Sequence, residues 1–181
     1  MKPIFLQTII LGLLLQACNP ANTWQDELGP ILDEFGHRNW IVVADYAYPF
    51  QSSPGIQTIF TGEDHLKVLD RVLEEIASAP HVKPVIMVDR ELDFVSETDA
   101  PGIENYRSDL KNRLGDMEVT SMLHEDIIRE MADASDLFGV LILKTDMTLP
   151  YTSVFIQLDC GYWDAGREKR LREVMEADSI H

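Results

Sequence analysis

Short apolar runs that alternate with helical patterns are the feature that most restricts how this chain can fold. Four such runs, rich in aliphatic residues, lie at 39–44, 85–88, 137–143 and 153–158. Runs of this length and composition are typical of strands buried on both faces. Their alternation with helices predicts an α/β fold, a single domain of layered α/β architecture with a largely parallel central sheet.

The segments between these runs place apolar residues three and four positions apart, which indicates helices. Thr61 to Asp64 has the pattern of a capping box ahead of one of them. Weaker strand patterns occur at 57–60 and 118–123. The spacing predicts helices over 24–35, from about Leu66 to Ile76, over 103–114, from about His124 to Ala134, and in the tail from Ala165.

The first eighteen residues have the pattern of a bacterial lipoprotein signal. Lys2 precedes an apolar run from Ile4 to Leu15, which is too short to span a bilayer, and the segment ends Leu15-Gln16-Ala17-Cys18. This ending resembles a lipobox, so we predict a signal peptide over 1–17, a lipidated Cys18 and a linker over 18–24. The protein would then be lipid-anchored in the bacterial cell envelope, with the leaflet left open. The alternative is an ordinary signal peptide with a chance cysteine.

The charge of the chain restricts its partners. It carries 15 basic and 31 acidic residues, a net charge of −16. Nucleic acid needs clustered Lys and Arg, so it is not an expected partner. Anionic lipid is disfavoured for the same reason, which leaves lipidated Cys18 as the expected membrane contact. A neutral sugar is compatible with this charge, whereas a phosphorylated one would need a local basic pocket.

Several polar residues stand where strands or helices meet loops. His37 precedes the first apolar run, Asp45 follows it, and His124 begins a helix. Such positions suit acid–base chemistry, but a His at a helix end and an Asp at a strand end are more often structural, and His124 has a similar ambiguity. A metal site built from these three residues is conceivable, yet no spacing demands it, because Ile128 interrupts any HExxH pattern. We therefore predict no metal. Tyr151 is either a core residue or a hydrogen-bonding wall for a polyhydroxylated ligand.

Two blocks of the sequence carry a family resemblance. The first is FGHRNWIVVADYAYP, with Gly36, His37, Asp45 and Pro49. The second is LHEDIIREMADASDLFGVLILKTDMTLPYTSVFIQ, with His124-Glu125, Lys144-Thr145 and Pro150-Tyr151-Thr152-Ser153. Together they resemble the ribose pyranase and fucose mutarotase (RbsD/FucU) family. His124 is closer to the pyranase branch, and Ser153 stands where the family usually has Asn.

The resemblance implies an RbsD-like domain over 25–163, followed by a helical extension over 164–181. It implies a sugar mutarotase or pyranase that interconverts ring forms or anomers of a free ribose- or fucose-like monosaccharide by acid–base catalysis, without a cofactor. His37, Asp45 and His124 would be catalytic, and Tyr151 and Ser153 would bind the sugar. It also implies a ring-like homo-oligomer with sites at subunit contacts. The alternatives are a lipid-anchored, non-catalytic monosaccharide-binding protein and an interaction lipoprotein that reuses the fold.

Overall fold

A computed structural model describes residues 23–178, in which helices alternate with the strands of a six-stranded sheet. The predicted signal peptide over 1–17 and Cys18 lie outside the described residues. A short 3-10 helix, Arg90–Phe94, follows the third strand. The other elements are α1 (Trp24–Glu34), β1 (Trp40–Ala44), β2 (Ile56–Phe60), α2 (His65–Ser78), β3 (Val82–Asp89), α3 (Ile103–Leu114), β4 (Val119–Met122), α4 (His124–Ser135), β5 (Val140–Lys144), β6 (Val154–Cys160) and α5 (Ala165–Asp178).

The strands lie in the order β2-β5-β1-β6-β3-β4. The pairs β2–β5, β5–β1 and β3–β4 are parallel, which confirms the predicted α/β class with a largely parallel sheet. Strand β6 is antiparallel to both of its neighbours, β1 and β3. The N-terminal end of β6 therefore lies at the same edge of the sheet as the C-terminal ends of β1 and β3.

Helices cover both faces of the sheet, which explains why its central strands are apolar throughout. On one face, side chains of α1, α2 and α3 pack against Ile41 and Val43 of β1. On the other, Ile127 and Met131 of α4 pack against Trp40 and Val42. Alternate residues of β1 thus enter different cores, because successive side chains of a strand point to opposite faces.

Two local expectations from the sequence are wrong. The cap of α2 is Asp64, whose carboxylate accepts a hydrogen bond from the Lys67 backbone N–H at 3.0 Å, and the Thr61 hydroxyl instead bonds the Lys144 carbonyl. Strand β5 begins at Val140 rather than Leu137. Leu137 is 82% exposed in the turn after α4, because Asp136 ends that helix and the chain must reverse there.

Helix α5 occupies the predicted C-terminal extension, and none of its residues is buried. Its side chains are largely charged and form ion pairs along the helix, such as Arg172 with Glu168. Within the described residues, no helix is both long enough and apolar enough to cross a bilayer. Cys160 is a free thiol at the end of β6.

Candidate functional site

The sheet topology gathers polar side chains at one edge. Asp45 follows β1, Asp89 ends β3, and the segment from Tyr151 to Ser153 leads into β6. Because Val154 pairs with both Val43 and Val88, these three groups lie side by side. Helix α4 begins with His124 directly after β4, the parallel neighbour of β3, so its first turn reaches the same edge.

A cavity of about 390 Å³ opens at this edge, a size suited to a small ligand. Its lining combines acidic, aromatic and amide side chains with several apolar contacts, and no Lys or Arg of the described residues contributes to it. The lining residues are Asp45, Ala47, Tyr48, Pro49, Gln51, Asp89, His124, Glu125, Ile128, Pro150 and Tyr151. Three of the five predicted site residues therefore share one cavity.

Asp45 is held in place by two hydrogen bonds at its carboxylate. The Ser153 hydroxyl donates to Oδ2 at 3.1 Å, and the Ala47 backbone N–H donates to Oδ1 at 2.8 Å. Ser153 is only 2% exposed and does not line the cavity. Its hydroxyl thus faces Asp45 rather than the cavity, so its link to any ligand runs through that carboxylate.

His124 is held by two acidic residues. Its backbone N–H donates to the Glu91 carboxylate, at 3.0 Å to Oε2, and its ring Nδ1 lies 3.1 Å from Asp89 Oδ1. The Asp89 side chain is fully buried, and its Oδ2 has no hydrogen-bond partner among the described residues. Burial raises the pKa of Asp89 to about 6, although the neighbouring His124 acts in the opposite direction.

Tyr151 forms part of the cavity wall beside His124. Its ring lies edge-on to the His124 ring, with 5.9 Å between the centroids. Its backbone φ is +57°, in the left-handed region that residues other than Gly seldom adopt. Such strain of about 1–3 kcal/mol persists where surrounding contacts impose it, and functional sites are a common place for it. The backbone therefore holds this ring over the imidazole.

A buried network supports the same segment from behind. The Tyr106 hydroxyl donates to the Thr152 carbonyl at 2.7 Å and lies 3.3 Å from His65 Nδ1, while His65 Nε2 lies 3.1 Å from the Val43 carbonyl. Burial lowers the pKa of His65 to about 4, so this imidazole is neutral near pH 7 and Nε2 donates to Val43. The network ties α2 and α3 to the backbone that carries Tyr151 and Ser153.

His37 lies away from this cavity. It precedes β1, whereas Asp45 follows it, and a strand of five residues separates its two ends by roughly 15 Å at about 3.3 Å per residue. His37 lies instead in a surface depression beside Asp159, Cys160 and α5. Within one chain, the structure therefore does not bring His37 together with Asp45 and His124.

Asp89 and Tyr48 are among the lining residues that sequence reasoning missed. Asp89 follows a buried apolar run just as Asp45 does, so the same signal was present, but an acidic, turn-rich stretch after it concealed the site. Tyr48 is 4% exposed, its hydroxyl accepts a hydrogen bond from Gln51 Nε2 at 3.2 Å, and burial raises its pKa. Its place in a loop rich in Pro and Ser gave no indication of burial.

Comparison with known proteins identifies the fold. No protein-family model matches the sequence, and no curated protein matches it either. Solved structures do match. They include Bacillus subtilis RbsD complexed with D-ribose (19% identity, TM-score 0.54), fucose mutarotase from Streptococcus pneumoniae in complex with L-fucose (24%, 0.52) and FucU from Bifidobacterium longum (18%, 0.51).

Each match covers 76% of this chain and 93–95% of the matched chain. This protein is therefore a single α/β domain that contains nearly the whole fold of the matched chains. That fold is the one of the RbsD and fucose mutarotase structures, as the resemblance predicted.

Proposed function

We propose that this protein is a sugar mutarotase or pyranase-like isomerase acting on a free ribose- or fucose-like monosaccharide. The observation that carries the proposal is that His124, Asp45 and Tyr151 line the same cavity. It is supported by a fold shared with structures that hold D-ribose and L-fucose. These residues supply proton transfer, hydroxyl binding and an aromatic wall.

Opening of the sugar ring requires one base and one acid. The base takes the proton of the anomeric hydroxyl, the O–H electron pair forms the C1=O1 carbonyl, and the bond from C1 to the ring oxygen breaks. The acid then protonates the ring oxygen, which gives the open-chain aldehyde, and closure reverses these steps. Positioned acid–base groups accelerate such steps by about 10²–10⁴-fold. No redox cofactor takes part in this scheme.

In this proposal His124 is one proton-transfer group, Asp45 binds a sugar hydroxyl, and Tyr151 positions the ring. Ser153 contributes by holding Asp45 through the 3.1 Å hydrogen bond. The absence of Lys and Arg from the lining favours a neutral sugar, because three carboxylates in it would repel a phosphate.

His37 fits this reaction only as a contribution from a second copy of the chain. It lies at the far end of β1 from Asp45, beside an open depression. We propose a ring-like homo-oligomer in which His37 of one copy reaches the cavity of the next and supplies the second proton-transfer group. Such head-to-tail contacts close into rings when the rotation between copies allows it.

The test is ring exchange of D-ribose and L-fucose, followed by saturation-transfer NMR. We expect acceleration by the wild-type protein and loss of about 10²-fold or more in His124→Ala and in His37→Ala. Wild-type rates equal to those of protein-free buffer for every sugar in the panel would refute the isomerase.

A non-catalytic monosaccharide-binding protein is the second candidate. The observation that favours it is Ser153, a buried hydroxyl already engaged with Asp45. Sugar-dependent chemical shifts at Tyr151 and His124 without any acceleration of ring exchange are the result expected for this candidate.

We also propose that the chain is exported and anchored in the cell envelope by lipid at Cys18. The support is the Leu15-Gln16-Ala17-Cys18 pattern after an apolar run. More than one acyl chain would make the attachment stable, since a single chain binds only marginally. The Cys18→Ser variant should leave the membrane fraction and lose incorporation of labelled palmitate. An unchanged distribution between membrane and soluble fractions would contradict the anchor.

A further inference from the structure

Asp89 is unusual among the groups of the cavity because its carboxylate has no access to solvent. Its side chain is 0% exposed, one oxygen lies 3.1 Å from His124 Nδ1, and the other has no partner among the described residues. Leaving a carboxylate buried and half-unpartnered costs stability, since its lost hydration is not replaced. A group that destabilises the fold at the floor of a cavity is a candidate for a functional role.

The contact with His124 determines where that imidazole carries its proton. An ionised carboxylate only accepts hydrogen bonds, so Nδ1 must be the protonated nitrogen of the pair. In the neutral ring Nε2 then holds the lone pair. It lies on the side of the ring away from Asp89, and no described residue bonds it.

We infer that Asp89 is the positioning residue of the proposed reaction: it fixes the orientation and the tautomer of His124, so that Nε2 is the nitrogen that exchanges a proton with the sugar. This inference rests on the proposed function for its kinetic consequence. Its structural content, the tautomer of His124, does not depend on any activity. Asp89 is not itself a catalytic residue, because its side chain is 0% exposed and acts through its contact with His124 Nδ1.

The other groups around Asp89 support this role. The charged groups that affect the Asp89 carboxylate electrostatically are Glu91, Asp45 and His124, and of these only His124 can become positive. Tyr48 lines the same cavity and is neutral, since burial raises the pKa of its hydroxyl. When His124 takes a proton from the sugar, the imidazolium ring is therefore in contact with the Asp89 carboxylate, which can stabilise its charge.

The first test is the tautomer of His124 in the full-length protein. Labelling with ¹⁵N-histidine and solid-state NMR near neutral pH distinguish protonated from unprotonated ring nitrogens, and the His124→Gln variant assigns the signals. We expect protonated Nδ1 and unprotonated Nε2 in the wild type, and a shift toward protonated Nε2 in Asp89→Asn, whose amide can donate to Nδ1. Asp93→Asn, an exposed change of the same kind on the following helical turn, is the control and should leave the signals unchanged.

A wild-type spectrum with protonated Nε2, or an Asp89→Asn spectrum identical to wild type, would overturn the inference. The wild-type measurement alone is decisive, so the test holds even if the variant does not fold. It also separates the two claims: a wild type without ring-exchange activity removes the proposed function, while the tautomer still confirms or refutes the role of Asp89.

The second test is kinetic and uses ring exchange of D-ribose. Asp89→Asn should lower kcat by about 10²-fold or more while KM changes less than about twofold, because the sugar ligands remain in place. In a His124→Ala background the same change should have no further effect on kcat, since Asp89 acts through His124. Equal losses in both backgrounds would show that Asp89 affects the rate independently of His124 and would contradict the inference.

Discussion

At the scale of single residues, the buried Asp89 carboxylate should make the stability of the protein depend on pH in an unusual direction. Its pKa is about 6 when folded and 3.8 in the unfolded reference. Between these values the folded chain holds a proton that the unfolded chain has released. The free energy of unfolding contributed by this group is therefore highest below about pH 4 and falls as the pH rises through 6.

The Asp89→Asn variant isolates this effect. Wild-type stability relative to the variant should fall by on the order of 2–3 kcal/mol between pH 4 and pH 7, since one pKa unit corresponds to about 1.4 kcal/mol. Urea unfolding of both proteins at several pH values measures this difference. The pH dependence contributed by the carboxylates that both proteins share cancels in the comparison. If the difference between the two free energies of unfolding is constant, or rises with pH, then folding does not raise the pKa of Asp89.

Ser153 makes a second prediction at this scale. Ser153→Ala removes the hydroxyl that donates to Asp45 and leaves the partly buried carboxylate with only the Ala47 N–H. A hydrogen bond to a charged group is worth about 1.5–3 kcal/mol, so KM for the sugar should rise about tenfold as Asp45 loses its fixed orientation. Thr58→Ala removes a buried hydroxyl on β2 that lies outside the cavity and has no hydrogen-bond partner among the described residues, so it should leave KM unchanged. Equal KM values for Ser153→Ala and wild type would contradict this role.

The site residues that were predicted lie beside strong local patterns in the sequence, whereas the roles of the others depend on contacts with distant residues. Asp45 and Tyr151 sit beside strong strands and were identified. Asp89 is equally well placed, but its chemistry arises from burial beside His124, a contact between residues 35 positions apart. The engagement of Ser153 with Asp45 spans 108 positions. Such partners depend on strand order, which local patterns do not contain.

At the scale of elements, the helices with strong periodicity were predicted closely. Helix α3 spans Ile103–Leu114 as expected, because Gly115 ends it and its apolar face packs on the sheet. The errors in the predicted elements lie at their ends, because several polar groups there compete for the same capping hydrogen bonds. Asp64 caps α2 although Thr61 fits the capping pattern, since the Thr61 hydroxyl is already bonded to the Lys144 carbonyl.

Helix α5 should contribute little to the stability of the domain. None of its residues is buried, and its interactions include exposed ion pairs, which are each worth about 0–1 kcal/mol. A chain that ends at Asp164 should therefore unfold with a free energy within about 1 kcal/mol of the full chain, measured in urea. For comparison, Ile127→Ala in the core should cost about 2–5 kcal/mol. A loss of that size on truncation would contradict the peripheral placement of α5.

At the scale of the whole molecule, strand order is what assembles the cavity. The sequence predicts the α/β class because apolar runs and helical periods are local. It does not predict that β6 lies antiparallel between β1 and β3, and that placement brings Tyr151 to Asp45 and Asp89. The same topology leaves His37 at the opposite end of β1. One motif of the sequence is thus divided between two ends of the domain.

This division predicts complementation between two inactive variants. If each site takes His37 from one copy and His124 from the next, then His37→Ala and His124→Ala should each be inactive alone. Refolded together in equal amounts, random rings should recover about a quarter of the wild-type rate of ring exchange, because that fraction of contacts joins two intact groups. The readout is saturation-transfer NMR on D-ribose.

The matched control is a mixture of Asp45→Ala with His124→Ala. Both of these residues line the same cavity of one chain, so no contact between copies restores an intact pair. This mixture should stay inactive while the first recovers activity. Recovery in both mixtures would show that Asp45 and His124 also act between copies. Recovery in neither, with an active wild type, would contradict the supply of His37 by a second copy.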